Sequence, residues 1–137
     1  MGEQDDLVDV WGRIRTLVLN NNVRVEVSEA LGLSFVKIRA LRRLLARPLT
    51  MRELAAELVT DKPYVTQIVD NLEEMGLLTR SISAEDRRRR IVTLTEPGRL
   101  AAERAEEILN RPPAALAALR PEDLAALNRI LGALPSD

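Results

Sequence analysis

Leu7, Val10, Trp11, Ile14, Leu17, Val18 and Val25 recur at three- and four-residue steps, so residues 5–30 read as one long amphipathic helix. Gly32 interrupts the pattern, and Ser34 is a suitable N-cap for a second helix carrying Phe35, Ile38, Leu41 and Leu45 on one face until Pro48 ends it. Thr50-Met51-Arg52-Glu53 is a capping box: the Thr50 hydroxyl accepts from the Glu53 amide while the Glu53 carboxylate reaches back to the Thr50 amide. It starts a short third helix through Leu54, Ala55 and Leu58 that stops near Thr60. Asp61 then caps a fourth helix, with Pro63 in the first turn, Val65, Ile68, Val69 and Leu72 inward, and Gly76 as its left-handed end. Beyond Gly76 the period changes. Leu77–Ile82 and Ile91–Thr95 are β-branched or apolar runs around a charged tip, which predicts a hairpin. A helix is expected from Pro97 to Asn110, a break at Arg111-Pro112-Pro113, a short helical turn over Ala114–Leu119, and a last helix from Pro121 to Leu134 with Glu122 and Asp123 at its positive end.

Two short helices joined by a tight turn and followed by a hairpin make a helix-turn-helix with a β wing, in a mainly α (α+β) fold. The flanking helices carry more apolar surface than so small a domain can cover. Leu7 to Val18, Leu109, Leu116, Leu119, Leu124, Leu127, Ile130, Leu131 and Leu134 therefore predict a second copy of the chain as cover, the alternative being stripes packed on one another within a monomer.

At 137 residues the chain is expected to form a single functional unit. Hydrophobic residues at 46% and charged residues at 30% describe a globular chain, and no apolar run approaches the roughly 18 residues that span a bilayer. The start, MGEQDDLVDVWG, has no basic segment leading into an apolar one, so a cytoplasmic, membrane-free protein is expected. The chain has no cysteine and no histidine, which excludes disulfides, thiolate chemistry, imidazole bases and the usual zinc sites. Net charge is −1, but its distribution is uneven: Lys37 to Arg99 holds 13 basic and 9 acidic residues, and both flanks are net negative. A basic middle suits a polyanionic partner.

Candidate chemistry lies on the fourth helix and the hairpin tip. Opposite its apolar stripe the helix presents Pro63, Gln67, Asp70 and Glu74, flanked by Tyr64, Thr66 and Asn71, with Lys62 at the start. Gln67 can bond an adenine edge through two hydrogen bonds, Tyr64 and Thr66 can reach base edges or phosphates, and the helix N-terminus favours a phosphate. The tip carries four consecutive arginines, Arg87, Arg88, Arg89 and Arg90, which repel one another unless something acidic meets them. A solvated helix face and a soluble hairpin tip are the plain alternatives; their adjacency favours duplex DNA. A winged helix can also be a protein-interaction or assembly module without a DNA target, separable by salt-dependent duplex binding. An enzyme is disfavoured, because Asp70, Glu73 and Glu74 lie on an open helix face with no imidazole or thiol beside them.

Asp86-Arg87-Arg88-Arg89-Arg90-Ile91-Val92-Thr93-Leu94-Thr95-Glu96-Pro97-Gly98 resembles the D-R-R-x-x-x-V-x-L-T-x-x-G signature of the MarR family of bacterial winged-helix transcription regulators. Leu54-Ala55, Val65-Thr66, Val69-Asp70, Leu72-Glu73 and Gly76-Leu77-Leu78-Thr79-Arg80 follow the family pattern in order. The resemblance implies one MarR-type domain over 1–137, with dimerisation helices at 5–33 and 97–137 and a DNA-binding lobe at 34–96. It implies that Asp86 braces Arg88 for entry into a minor groove, and that Arg80 contacts the DNA backbone. It implies a homodimeric repressor on a pseudo-palindromic operator, released by a small aromatic or anionic effector held between the dimerisation helices and the lobe; no cofactor or metal is expected. Trp11, Arg15 and Arg42 are the residues to watch for that effector; the alternatives are an apolar anchor for Trp11 and arginines extended to solvent. The sequence departs from the family pattern at Gln67, where many relatives have arginine, and at Pro112-Pro113, which interrupts a helix that is often continuous.

Overall fold

A computed structural model of the chain describes residues 2–136, leaving the terminal residues of the expected 1–137 domain, Met1 and Asp137, outside the described residues. Eight helices and three strands follow in the order α1 (Glu3–Leu19), α2 (Val23–Leu31), α3 (Phe35–Ala46), β1 (Leu49–Thr50), α4 (Met51–Glu57), α5 (Lys62–Glu74), β2 (Leu78–Ile82), β3 (Arg90–Leu94), α6 (Glu96–Leu109), α7 (Ala114–Ala117) and α8 (Pro121–Gly132) among the described residues. They form two compact units, Asn22–Asn110 and a terminal unit of residues 2–21 with 111–136.

The Asn22–Asn110 unit is the winged lobe. Its core is built from Val27, Ile38, Leu41, Leu54, Val65, Leu72, Leu78 and Val92, all fully buried. Each such side chain contributes about 1.5–3 kcal/mol relative to exposure. The lobe is larger than the 34–96 read from the sequence: α2 and α6, grouped there with the flanking helices, supply Val27, Ala102, Ala105 and Ile108 to this core.

The single helix expected over residues 5–30 is corrected to two. α1 ends at Leu19 with Asn20 as C-cap, and α2 starts after Asn22. Three consecutive asparagines, poor in helix interiors because their amides compete for backbone groups, break the rod although the apolar spacing runs on past them. Gly32, at φ 65°, closes α2 in the left-handed region.

A three-stranded antiparallel sheet has the order β1-β3-β2. β1 was not expected: Leu49 and Thr50 pair with Val92 and Ile91, so the residue that caps α4 also borders the wing. In the hairpin, Leu78 pairs with Leu94 and Ile82 with Arg90.

The hairpin's neck is closed tightly. Gly76, at φ 75°, ends α5 with the two backbone bonds of a Schellman motif, Gly76 N–H to Glu73 O at 3.0 Å and Leu77 N–H to Leu72 O at 3.0 Å. The Thr95 hydroxyl donates to Gly76 O at 2.6 Å and accepts from the Gly98 amide at 3.2 Å, capping α6. A Cβ on Gly98 would lie 1.7 Å from the Leu77 carbonyl oxygen, so only glycine fits there.

The terminal unit is different in kind. None of α1, α7 and α8 has a buried residue. Pro112 and Pro113 interrupt the chain between α6 and α7 as the sequence predicts, and Arg120 pairs with Asp123 at 3.1 Å at the start of α8. Among the described residues, no helix is long and apolar enough to cross a membrane.

Candidate nucleic-acid interface

α4, the turn after it and α5 are set by caps. The Thr50 and Glu53 box is closed in both directions, Glu53 N–H to Thr50 Oγ1 at 3.1 Å and Thr50 N–H to Glu53 Oε1 at 3.0 Å. The Thr50 amide and hydroxyl, with Arg47 behind them, hold the Glu53 carboxyl below its ordinary pKa. Asp61 caps α5 by accepting the Tyr64 amide at 2.8 Å. Between the two helices Val59 sits at φ 51°, a conformation that a β-branched side chain rarely adopts.

On α5, Lys62, Pro63, Tyr64, Gln67, Asp70 and Glu74 are exposed, as the helical wheel places them. Thr66 and Asn71 are half-buried and turn back on their own helix: Thr66 Oγ1 donates to Lys62 O at 2.9 Å and Asn71 Nδ2 to Gln67 O at 2.8 Å. Among the described residues the Gln67 side chain makes no hydrogen bond, so its amide is unoccupied on the outer face.

Arg80 of β2, the residue expected to contact the DNA backbone, is ion-paired within the protein. Its Nη2 lies 2.6 Å from Asp70 Oδ1 and 2.9 Å from Glu73 Oε1, and its main-chain amide donates to Glu73 Oε2 at 3.1 Å. The Arg80 guanidinium and main-chain amide both lower the Glu73 pKa through their hydrogen bonds, and Glu73 in turn raises the pKa of Arg80. Because the folded Glu73 pKa is depressed, the pair's contribution to stability is complete above the ordinary glutamate range. It is lost as pH falls through the lowered value. β2 is thereby fastened to the last turns of α5.

The wing tip is ordered by Ser83 and Asp86. Ser83, the buried polar residue among those described, has a hydroxyl that accepts from the Glu85 and Asp86 amides at 3.2 and 3.3 Å, and its own amide donates to Arg89 O at 3.0 Å. Asp86 Oδ1 accepts from the Arg88 amide at 3.0 Å and from Arg88 Nε at 3.3 Å, while its Oδ2 lies 3.5 Å from Arg89 Nε. Asp86 thus holds the root of Arg88, whose side chain is 92% exposed, and holds Arg89 as well. Arg87 and Arg90 form no ion pair among the described residues.

Between α4, α5 and the wing lies a cleft of about 920 Å³. Its wall carries Arg52, Lys62, Arg80, Arg88, Arg89 and Arg90 against the carboxylates of Glu53 and Glu73. Residues from three separate parts of the sequence thus make one basic concave surface beside an exposed polar helix face. Arg52 and Ser83 were not singled out by the sequence. Arg52 lies inside the capping box and was read only as part of it, while Ser83 stands three residues before Asp86, the one signal that could have marked it as a turn cap.

The effector candidates fall in both units. Trp11 and Arg15 are on α1, Trp11 being 60% exposed, and Arg15 lines a shallow groove with Gly12, Thr16 and Pro113. Arg42 is on α3 in the lobe, 2.6 Å from Glu106 of α6. It belongs to a niche of about 210 Å³ lined by Arg24, Phe35, Arg39, Arg42, Arg43 and Glu106, in which the Arg24 guanidinium lies 4.2 Å from the Phe35 ring centre.

A family model described as MarR family matches residues 31–89, the stretch from the end of α2 to the wing tip. An organic hydroperoxide resistance transcriptional regulator of Bacillus subtilis (strain 168) is 37% identical over 60 residues, which span 44% of this chain and 41% of that regulator. The YusO protein of Bacillus subtilis superposes with a TM-score of 0.77 at 21% identity, covering 96% of each chain. MepR of S. aureus, solved as a DNA complex, gives a TM-score of 0.64 at 22% identity over 92% of this chain and 99% of its own.

Proposed function

We propose that this chain, which matches the MarR family model over residues 31–89, is a MarR-type winged-helix repressor binding a pseudo-palindromic DNA operator as a homodimer. The observation that carries this reading is the basic cleft beside the exposed face of α5, where Gln67 stands unoccupied and Asp86 orders Arg88. In it, Lys62, Pro63, Tyr64, Thr66 and Gln67 enter a major groove, with Gln67 bonding a base edge. Arg87, Arg89, Arg90 and Arg52 neutralise phosphates, and Arg88 enters the flanking minor groove. That MepR of S. aureus, which shares the fold, has been solved as a DNA complex supports a DNA partner.

The homodimer is supported by the apolar side chains that α1 and α8 leave uncovered, Leu7, Trp11, Val18, Ile130 and Leu131 among them. Two-fold symmetry sets two recognition helices on successive major grooves roughly 34 Å apart. For release, the reading takes a small anionic, aromatic effector. The arginine niche around Arg42 supports it better than the open surface at Trp11, because guanidinium groups stacked on and beside an aromatic ring suit a carboxylate on an aryl group.

Selecting bound sequences from a random duplex library, followed by titration across salt, tests the reading. The expected result is an enriched inverted repeat whose affinity falls linearly on a log-log salt plot. No enrichment, together with no salt-dependent binding to any duplex, would overturn it.

A further inference from the structure

Asp70 and Glu73 share one guanidinium but do not do the same work. Glu73 grips β2 twice, through the Arg80 main-chain amide at 3.1 Å and through Arg80 Nη2 at 2.9 Å. Asp70 contacts only the same Nη2, at 2.6 Å. Removing its charge therefore leaves the tie between α5 and β2 standing. Cohesion does not explain a carboxylate that is 54% exposed and one helical turn from Gln67 on the outer face of α5.

Its electrostatic position does. Arg80 lines the basic cleft, and with two carboxylates on it its charge is spent inside the protein. A phosphate approaching that corner meets a negative group and a neutralised cation. Specificity is a difference of affinities, and an element that weakens binding to every duplex alike raises the share carried by groups that read sequence. We propose that Asp70 is a specificity-determining residue. It holds Arg80 away from the DNA backbone, so that tight binding is confined to duplexes that Gln67 and the wing can read. This rests on the DNA-binding reading above.

The test uses the full chain with D70N, E73Q and the double variant D70N/R80Q. Fluorescence anisotropy is measured on a library-selected duplex and on a scrambled one of equal length, over a salt series, with thermal unfolding in parallel. D70N should tighten binding to the scrambled duplex by about threefold or more, in line with the strength of exposed charge pairs. It should steepen the salt slope by roughly 0.9 for each new phosphate contact and narrow the ratio between the duplexes. R80Q in the double variant should abolish that gain. E73Q should instead loosen the wing and weaken binding to both.

D70N that weakens both duplexes as E73Q does would overturn the assignment and make Asp70 a second tie. D70N that weakens only the selected duplex would also overturn it, in favour of a carboxylate reading a cytosine amino group. In both outcomes the wild type still binds DNA and the underlying reading survives, whereas a wild type that binds neither duplex overturns the two together.

Discussion

The winged lobe and the terminal unit are written in the same alphabet and end differently. Ile38, Leu41 and Leu72 on lobe helices are completely buried, while Leu7 at 66%, Trp11 at 60% and Ile130 at 52% stand in solvent on helices with equally regular apolar spacing. Periodicity fixes which face of a helix seeks cover; what supplies the cover depends on neighbours. In the lobe, α2, α3, α5, α6 and the sheet cover one another. In the terminal unit α1 and α8 keep their stripes exposed, and this asymmetry separates a part whose apolar faces are covered from a part whose faces are not.

The largest expected effect breaks that comparison outright. Trp11→Asp combined with Leu131→Asp should convert a dimer at micromolar concentration into monomer in sedimentation velocity, with the circular dichroism of the lobe retained. A wild-type chain that sediments as a stable monomer would show that the terminal stripes need no partner. Next in size, Leu72→Ala should cost about 2–5 kcal/mol in urea denaturation because it opens a cavity among fully buried neighbours. Leu131→Ala should chiefly shift dimer dissociation, since that side chain is 46% exposed.

Smaller effects sharpen the picture within the lobe. Gln67→Ala should lose roughly 1–3 kcal/mol on the preferred duplex and relax selectivity at one position per half-site, read by competition binding. Arg87→Ala should weaken all duplexes alike. Arg88→Ala should lose most on operators with A·T-rich flanks, where the narrow minor groove deepens the negative potential. Asp86→Ala should reproduce part of that loss although it removes a negative charge; tighter binding on every duplex would reduce the wing to a cluster of charge. The smallest expected effect is at Val59, whose left-handed backbone costs about 1–2 kcal/mol for an L side chain. Val59→Gly should raise stability by up to about 1 kcal/mol, since glycine's greater freedom in the unfolded chain offsets part of the gain.

The helix-turn-helix was legible because its boundaries are local. Thr50 with Glu53, Asp61 with the Tyr64 amide, and Gly76 all act within a few residues, and each cap lies where the sequence places it. The hairpin strands lie one residue from their expected ends for the same reason. Long-range pairings carried no such signal. β1 is only two residues long and its partner lies beyond two helices, so nothing in Leu49-Thr50 announces a strand. Ser34 does cap α3 in position, yet its hydroxyl makes no cap bond, which residue type alone does not disclose. In the site, Gln67 and the wing arginines were visible as exposed polar residues. The engagement of Arg80 by Asp70 and Glu73 was not, because it depends on β2 crossing the end of α5. Val59 ran against legibility, since residue preference argues for glycine where the turn carries valine.

The neck of the hairpin has a mechanical meaning. Thr95 bonds to Gly76 at the end of α5, its amide bonds to Leu77, and Gly98 of α6 leaves no room for even a methyl group against that carbonyl. A joint with no free volume transmits a displacement instead of absorbing it. α6 is therefore joined closely to the C-terminal end of α5, with no slack in the packing between Gly98 and Leu77. Glu106, near the far end of α6, is tied to α3 by Arg42, so the same helix is anchored at both of its ends.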